Sequence, residues 1–178
     1  MSIHTFTLVL SAENTDQASL EDLVFEAGCD DALLLHRDGI PFLNFDREAE
    51  GLMDAILVAI AEVHRAGPGI EVLRVEPDDL VTAADIAHRT GRTKESIRLL
   101  IGGQRGQGGF PAPVRGIDQR TRLWRWAEVV PWLARHGALA NPSESVEEAN
   151  TIAAVNAALQ LQRLGAGQTT ALLERLAG

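Results

Sequence analysis

Residues 81–100 read VTAADIAHRTGRTKESIRLL, two short helical segments that meet at a glycine. Thr82 can cap the first segment, with Asp85 at the third helical position, where a carboxylate completes the cap. Ala87 is small where two helices must cross closely, and Gly91, four residues on, sits where the turn needs a positive φ. Ile97 and Leu100 are spaced to pack the second segment back onto the first. Thr93 caps that second segment, and its exposed positions are Lys94, Glu95 and Arg98. This is the spacing of a helix-turn-helix. In that motif Lys94, Glu95 and Arg98 project into a major groove, with Arg92 and Ser96 near phosphates. The competing reading is a generic helical hairpin, and the distribution of charge weighs against it.

The formal net charge of −9 is unevenly spread. Residues 1–80 carry 4 Arg against 17 acids, or −13; residues 81–137 carry 10 basic residues against 4 acids, or +6; residues 138–178 carry 2 against 4, or −2. A local basic block on an acidic chain is the electrostatic footprint of a nucleic-acid-binding module, averaged away in the overall charge. With 178 residues, 46% of them hydrophobic, the chain can fill one large or two small cores and is too apolar for disorder. A single cysteine, Cys29, excludes an intramolecular disulfide and a thiolate zinc finger. The start of the chain lacks a basic segment before its short apolar run, unlike a signal peptide. Residues 52–63 are broken by Asp54 and Glu62 and fall short of the roughly 20 residues a bilayer needs. The expectation is a cytoplasmic protein without a membrane partner, and 15 Arg against one Lys suggests a GC-rich bacterial genome.

Upstream of the basic block, residues 5–10 read as a strand and residues 19–27 as a helix capped by Ser19 and stopped by Gly28. Residues 31–36 and 40–46 flank Arg37-Asp38-Gly39, and the Asp-Gly pair signals a hairpin. Residues 48–65 form an amphipathic helix ended by Gly67-Pro68-Gly69, and residues 70–75 a last strand. The order β-α-β-β-α-β is that of a ferredoxin-like sandwich, two helices on one face of a four-stranded antiparallel sheet. Residues 76–79, EPDD, mark the boundary. Downstream, residues 143–164 are helical with Val146, Ile152, Val155 and Leu159 on one stripe, followed by a short helix over residues 168–176. The expected class is therefore α+β: an acidic ferredoxin-like domain at 1–77, a DNA-binding domain at 80–137, and a helical tail at 143–178 suited to dimerisation.

Residues 80–137 resemble the winged helix-turn-helix of MerR-like and AlpA-like excisionase proteins. The likeness rests on LVTAADIAHRTGRTKESIRLLI, the FPAPV element at 110–114 and RLWRWAEVVPWL at 122–133, and covers about a third of the chain. It implies sequence-specific binding of double-stranded DNA, with the second helix in the major groove and the wing on the flanking backbone. By the same likeness Arg115, Arg120, Arg122 and Arg125 are wing phosphate contacts. The connector GGQRGQGG at 102–109 is longer than the family usually shows. It reads either as a flexible loop or as a segment that brings Arg105 and glycine amides to phosphates; with no Gly-Lys-Ser/Thr it is not a nucleotide-binding loop.

Other residues point elsewhere less strongly. Trp124, Trp126 and Trp132 could stack on single-stranded bases, but their spacing favours core packing. The five histidines show no metal-ligand spacing, and Cys29 reads as a small buried residue. The serines and the Asp30-Asp31 and Asp78-Asp79 pairs offer no activated nucleophile or acid/base dyad, so no enzyme and no cofactor is expected. The leading expectation is a transcriptional regulator binding duplex DNA as a homodimer. The second is an antitoxin or adaptor whose acidic N-domain binds a protein partner.

Overall fold

In the computed structural model Asp38 and Gly39 both take positive φ, 54° and 80°, as the two-residue turn of a twisted hairpin requires. They join strand β2 (Ala32–Arg37) to β3 (Ile40–Ala49), with Arg37 opposite Ile40. The structure describes all residues except 14, 107, 138, 140, 141 and 178, with the side chains at 142–144, 166 and 177 also outside the description. The class is mixed α+β, and the chain divides into two units, residues 1–77 with 154–178, and residues 78–153.

In the first unit β1 (Ser2–Ala12) pairs antiparallel with both β3 and β4 (Ile70–Glu76), giving the order β2-β3-β1-β4. Helices α1 (Gln17–Glu26) and α2 (Leu52–Ala66) bury Leu20, Val24, Ile56, Ala59 and Val63, and the strands bury Phe6, Leu8, Leu10, Leu43 and Phe45. Phe6 and Phe45, directly opposed in the register, stack at 4.9 Å between ring centroids. The register of β4 shifts between Val9 and Leu10, which oppose Arg74 and Val72 and leave Leu73 as the extra residue. That bulge lets Ile70, Val72 and Val75 all be buried, which strict alternation would forbid.

Two expected boundaries move. Helix α1 is capped by Asp16, whose carboxylate accepts from the Ser19 amide at 3.1 Å and the Ser19 hydroxyl at 2.7 Å, so Ser19 lies inside the helix. A charged acceptor outcompetes a hydroxyl for the free amides of a first turn. Helix α2 begins at Leu52 rather than near residue 48, because β3 stays paired with β1 as far as Ala49 opposite Ser2.

The tail is helical over the expected residues and is divided between the two units. Helices α6 (Pro142–Leu164) and α7 (Ala166–Ala177) are present, but residues 154–178 group with the N-terminal strands. Asn156, 8% exposed, accepts from the Val75 amide at 2.7 Å and donates to the Val75 carbonyl at 2.9 Å. Its amide thus occupies the open edge of β4 as another strand's peptide group would. Ile152, Val155 and Leu159, three of the four residues of the expected stripe, are already buried within the single chain.

The acidic unit is fastened by one arginine. Arg47, at the end of β3, makes two bonds to Asp31 (2.8 and 2.7 Å) and approaches Glu62 of α2 at 2.7 Å, with its guanidinium 4.8 Å from the Phe45 ring centre. Cys29 lies buried beside this cluster, and burial and the Glu62 carboxylate push its thiol up to about 11. It is an inert packing residue at neutral pH.

Hydrogen bonds from Arg47 hold the Asp31 carboxyl below the ordinary carboxylate range. Its stabilising contribution is therefore full above the unfolded-state value of about 4 and is lost as pH falls through the lower folded-state value. In urea unfolding between about pH 5 and pH 2, Asp31→Asn should flatten the acid loss of stability relative to wild type; superimposable profiles would refute this. Arg47→Ala, which leaves buried Glu62 with only the exposed Arg65 at 3.9 Å, should cost about 3 kcal/mol.

Candidate nucleic-acid interface

The second unit is built around two short helices. Thr82 accepts from the Asp85 amide at 3.2 Å while the Asp85 carboxylate accepts from the Thr82 amide at 2.8 Å, a complete capping box at the start of α3 (Ala83–Arg89). These bonds keep the Asp85 carboxyl below its ordinary range. Gly91 takes a φ of 63° in the turn, and Thr93 caps α4 (Lys94–Ile101) by accepting from the Ser96 amide at 3.1 Å. Ala87, Ile97 and Leu100 close the helix pair from within, as their spacing anticipates, and Ile86 joins them.

This pair is locked to the rest of the unit by two tryptophans and one aspartate. Strand β5 (Leu80–Val81) pairs with β6 (Trp124–Arg125), which leads into α5 (Trp126–Arg135). Trp124 and Trp132 are buried in the core with Val129 and Leu133, and Phe110 meets both indoles edge to face. Their indole N–H groups donate to the carbonyls of Pro111 and Gly108, at 3.0 and 3.2 Å, so the glycine-rich connector is tied down at its far end. Asp79, 6% exposed, accepts from the Ala127 amide at 2.9 Å and from Arg125 at 3.1 Å, and its carbonyl accepts from the Trp126 amide at 2.6 Å. It is the cap of α5, supplied from 48 residues away. Sequence reading missed it, because no local pattern links residue 79 to residue 127.

Between Phe110 and Trp124 the chain folds into a hairpin. The Val114 amide donates to the Leu123 carbonyl at 2.8 Å, and the Leu123 amide to the Arg115 carbonyl at 3.1 Å. At its base Gly116 takes a φ of 69°, and a Cβ there would run into the Thr121 carbonyl.

The expected contact residues fall into separate places. Lys94 and Arg98 of α4 and Arg120 and Arg122 of the hairpin line one open concavity of about 620 Å³ with the first residues of α3. No carboxylate lines it among the described residues. Arg122 lies with its guanidinium 5.4 Å from the Trp124 ring centre, which fixes its stem. Arg98 is held by Glu95 through two bonds, 2.8 and 2.7 Å, which lower the Glu95 carboxyl and raise the guanidinium. Both partners are exposed, so the pair is readily exchanged for another anion or a base edge. Thr93 and Ser96 are occupied with the helix cap, and Arg115 is exposed at the hairpin base. Arg125 lies outside this concavity, with one guanidinium nitrogen 3.1 Å from buried Asp79 and its side chain about half exposed. Arg92 and Arg105 lie away from this concavity, around another one shared with Arg135.

Arg89 was not singled out in the sequence. It donates to the Asp78 carbonyl at 2.8 Å, lies 5.1 Å from the Trp126 ring centre, and is pushed down by burial. Among the described residues no cluster of His, Cys, Asp or Glu is arranged to hold a metal, and no helix is long and apolar enough to cross a membrane.

Gly116→Ala should open the hairpin at a cost of about 1–3 kcal/mol, since it combines a disfavoured φ with a collision. Amide exchange at Val114 and Leu123 should accelerate while amides of α3 and α5 keep their protection; unchanged exchange would contradict the close approach. Compared with known proteins, the chain matches no family model, no curated protein and no solved structure.

Proposed function

We propose that the protein binds double-stranded DNA sequence-specifically and acts as a bacterial transcriptional regulator. In this reading residues 80–137 form a winged helix-turn-helix, with α4 as the recognition helix and the 114–123 hairpin as the wing. The observation that carries it is the shared face: Lys94 and Arg98 from one element and Arg120 and Arg122 from another border a single concave surface. A helix N-terminus and a hairpin side by side, both basic, suit a major groove and the phosphates flanking it. Exchange of Glu95 for a guanine edge frees Arg98 to read sequence. The N-terminal unit supports a ferredoxin-like sandwich through its βαββαβ succession and the order β2-β3-β1-β4.

One short recognition helix gives limited affinity, and two half-sites multiply it, so the working form is a homodimer on a two-fold site. With Ile152, Val155 and Leu159 of the α6 stripe buried, the seam falls to exposed leucines further along the tail, among them Leu172, Leu173 and Leu176 of α7, each more than half exposed.

Selection of genomic fragments at moderate salt should recover a short inverted repeat with wild type and not with a Lys94→Ala/Arg98→Ala variant. Arg98→Ala alone should weaken binding to that site by about 10- to 100-fold and relax its sequence preference, whereas Arg122→Ala should weaken all sequences alike and reduce the salt slope. Equal, sequence-blind losses would overturn the recognition-helix assignment. Sedimentation should give the mass of two chains for wild type and of one for Leu172→Ser/Leu176→Ser; a single-chain mass for wild type, alone and on duplex, would exclude the dimer.

A further inference from the structure

Three arginines converge where the proposed DNA surface does not reach. Arg92 comes from the turn between α3 and α4, Arg105 from the glycine-rich connector, and Arg135 from the last turn of α5; with His136 they line a concavity of about 450 Å³. Leu100 and Trp132 contribute its apolar wall. The positions are fixed by backbone bonds, from the Arg92 amide to the Ala87 carbonyl at 2.9 Å and from the Arg105 amide to the Leu99 carbonyl at 3.2 Å. Among the described residues none of the three guanidiniums has an ion-pair partner, in contrast to Arg98 and Arg125. Among the described residues no carboxylate lines the cavity.

His136 is oriented too. Its ring stacks on Trp132 at 3.9 Å between centroids, and Nδ1 lies 2.7 Å from the Trp132 carbonyl oxygen. A carbonyl only accepts, so Nδ1 carries the proton of that bond, and Nε2 has no partner among the described residues.

Like charges gathered around one void repel unless an anion sits between them, and guanidinium forks match the oxygens of phosphate in pairs. We infer that the Arg92, Arg105, Arg135 and His136 cavity is a phosphate-binding site, separate from the groove of Lys94 and Arg98. Three cations call for more than one negative charge, as in a phosphomonoester, a diphosphate or adjacent phosphodiesters. The volume lies within the range of small-molecule pockets. Arg92 and Leu100 flank the two ends of α4, so an anion held here braces the very helix that the proposed function places in the groove. The site itself stands on geometry alone and does not depend on that function.

The test uses the full chain with inorganic pyrophosphate and 5′-AMP as probes, and a duplex as the polymeric source of phosphate. A saturable rise in Tm with either small anion, with apparent affinity about tenfold weaker in Arg105→Ala and Arg135→Ala and restored in part by Arg135→Lys, is the expected result and identifies a free phosphorylated ligand. No response to the small anions, but a weaker duplex affinity and lower salt slope in Arg135→Ala, identifies nucleic-acid backbone as the source. Small-anion and duplex binding both unchanged in the two alanine variants, with circular dichroism showing them folded, would overturn the site. Lys94→Ala/Arg98→Ala separates the two proposals, because it should abolish duplex reading and leave the pyrophosphate response intact.

Discussion

The basic unit depends on Asp79. Its backbone and carboxylate take three donors from residues 125–127, fastening the start of α5 to the strand that precedes α3. Without that bond the β5–β6 pair would be a two-residue ladder standing alone, too short to hold the hairpin against the helices. A buried carboxylate is costly unless its oxygens are satisfied, and here both are, one by the Ala127 amide in the first turn of α5 and one by the Arg125 guanidinium. The same carboxylate draws one nitrogen of Arg125 to itself at 3.1 Å while the arginine side chain stays about half exposed.

The acidic unit follows another logic. Its −13 block is mostly exposed carboxylate, yet the two acids that meet Arg47 do structural work by bridging β3 to the loop before β2 and to α2. Cys29 sits beside that junction, where desolvation and a carboxylate both disfavour a thiolate. Charge on this unit is therefore of two kinds, a solvated majority and a buried knot, and composition alone does not separate them.

What could be read from the sequence was local. The Asp38-Gly39 turn, the Thr82 and Thr93 caps, Gly91 and the Ile97/Leu100 pair each encode their conformation within four or five residues, and the structure shows each of them as the spacing requires. Trp124 and Trp132 were legible as core because their spacing follows the helix and strand that bury them. The illegible features are those joined across long stretches of chain. Asp79 meets residue 127, Asn156 meets Val75, and Arg92 and Arg105 meet Arg135 only once the chain has folded. Periodicity placed Val155 and Leu159 on a stripe but could not say which apolar surface they would cover.

Asn156 has a consequence for how the chain behaves when shortened. An outer strand carries unpaired peptide groups that invite any other strand to add on, and proteins commonly blunt such rims with charge, proline or a covering segment. Here a single carboxamide satisfies both peptide groups of Val75. A fragment ending before residue 154 keeps all four strands but bares that rim, so it is prone to self-association through the sheet. Helix α6 thus serves as a built-in guard against strand-to-strand aggregation, and larger particles formed by such a fragment would reflect a lost cover rather than a native interface.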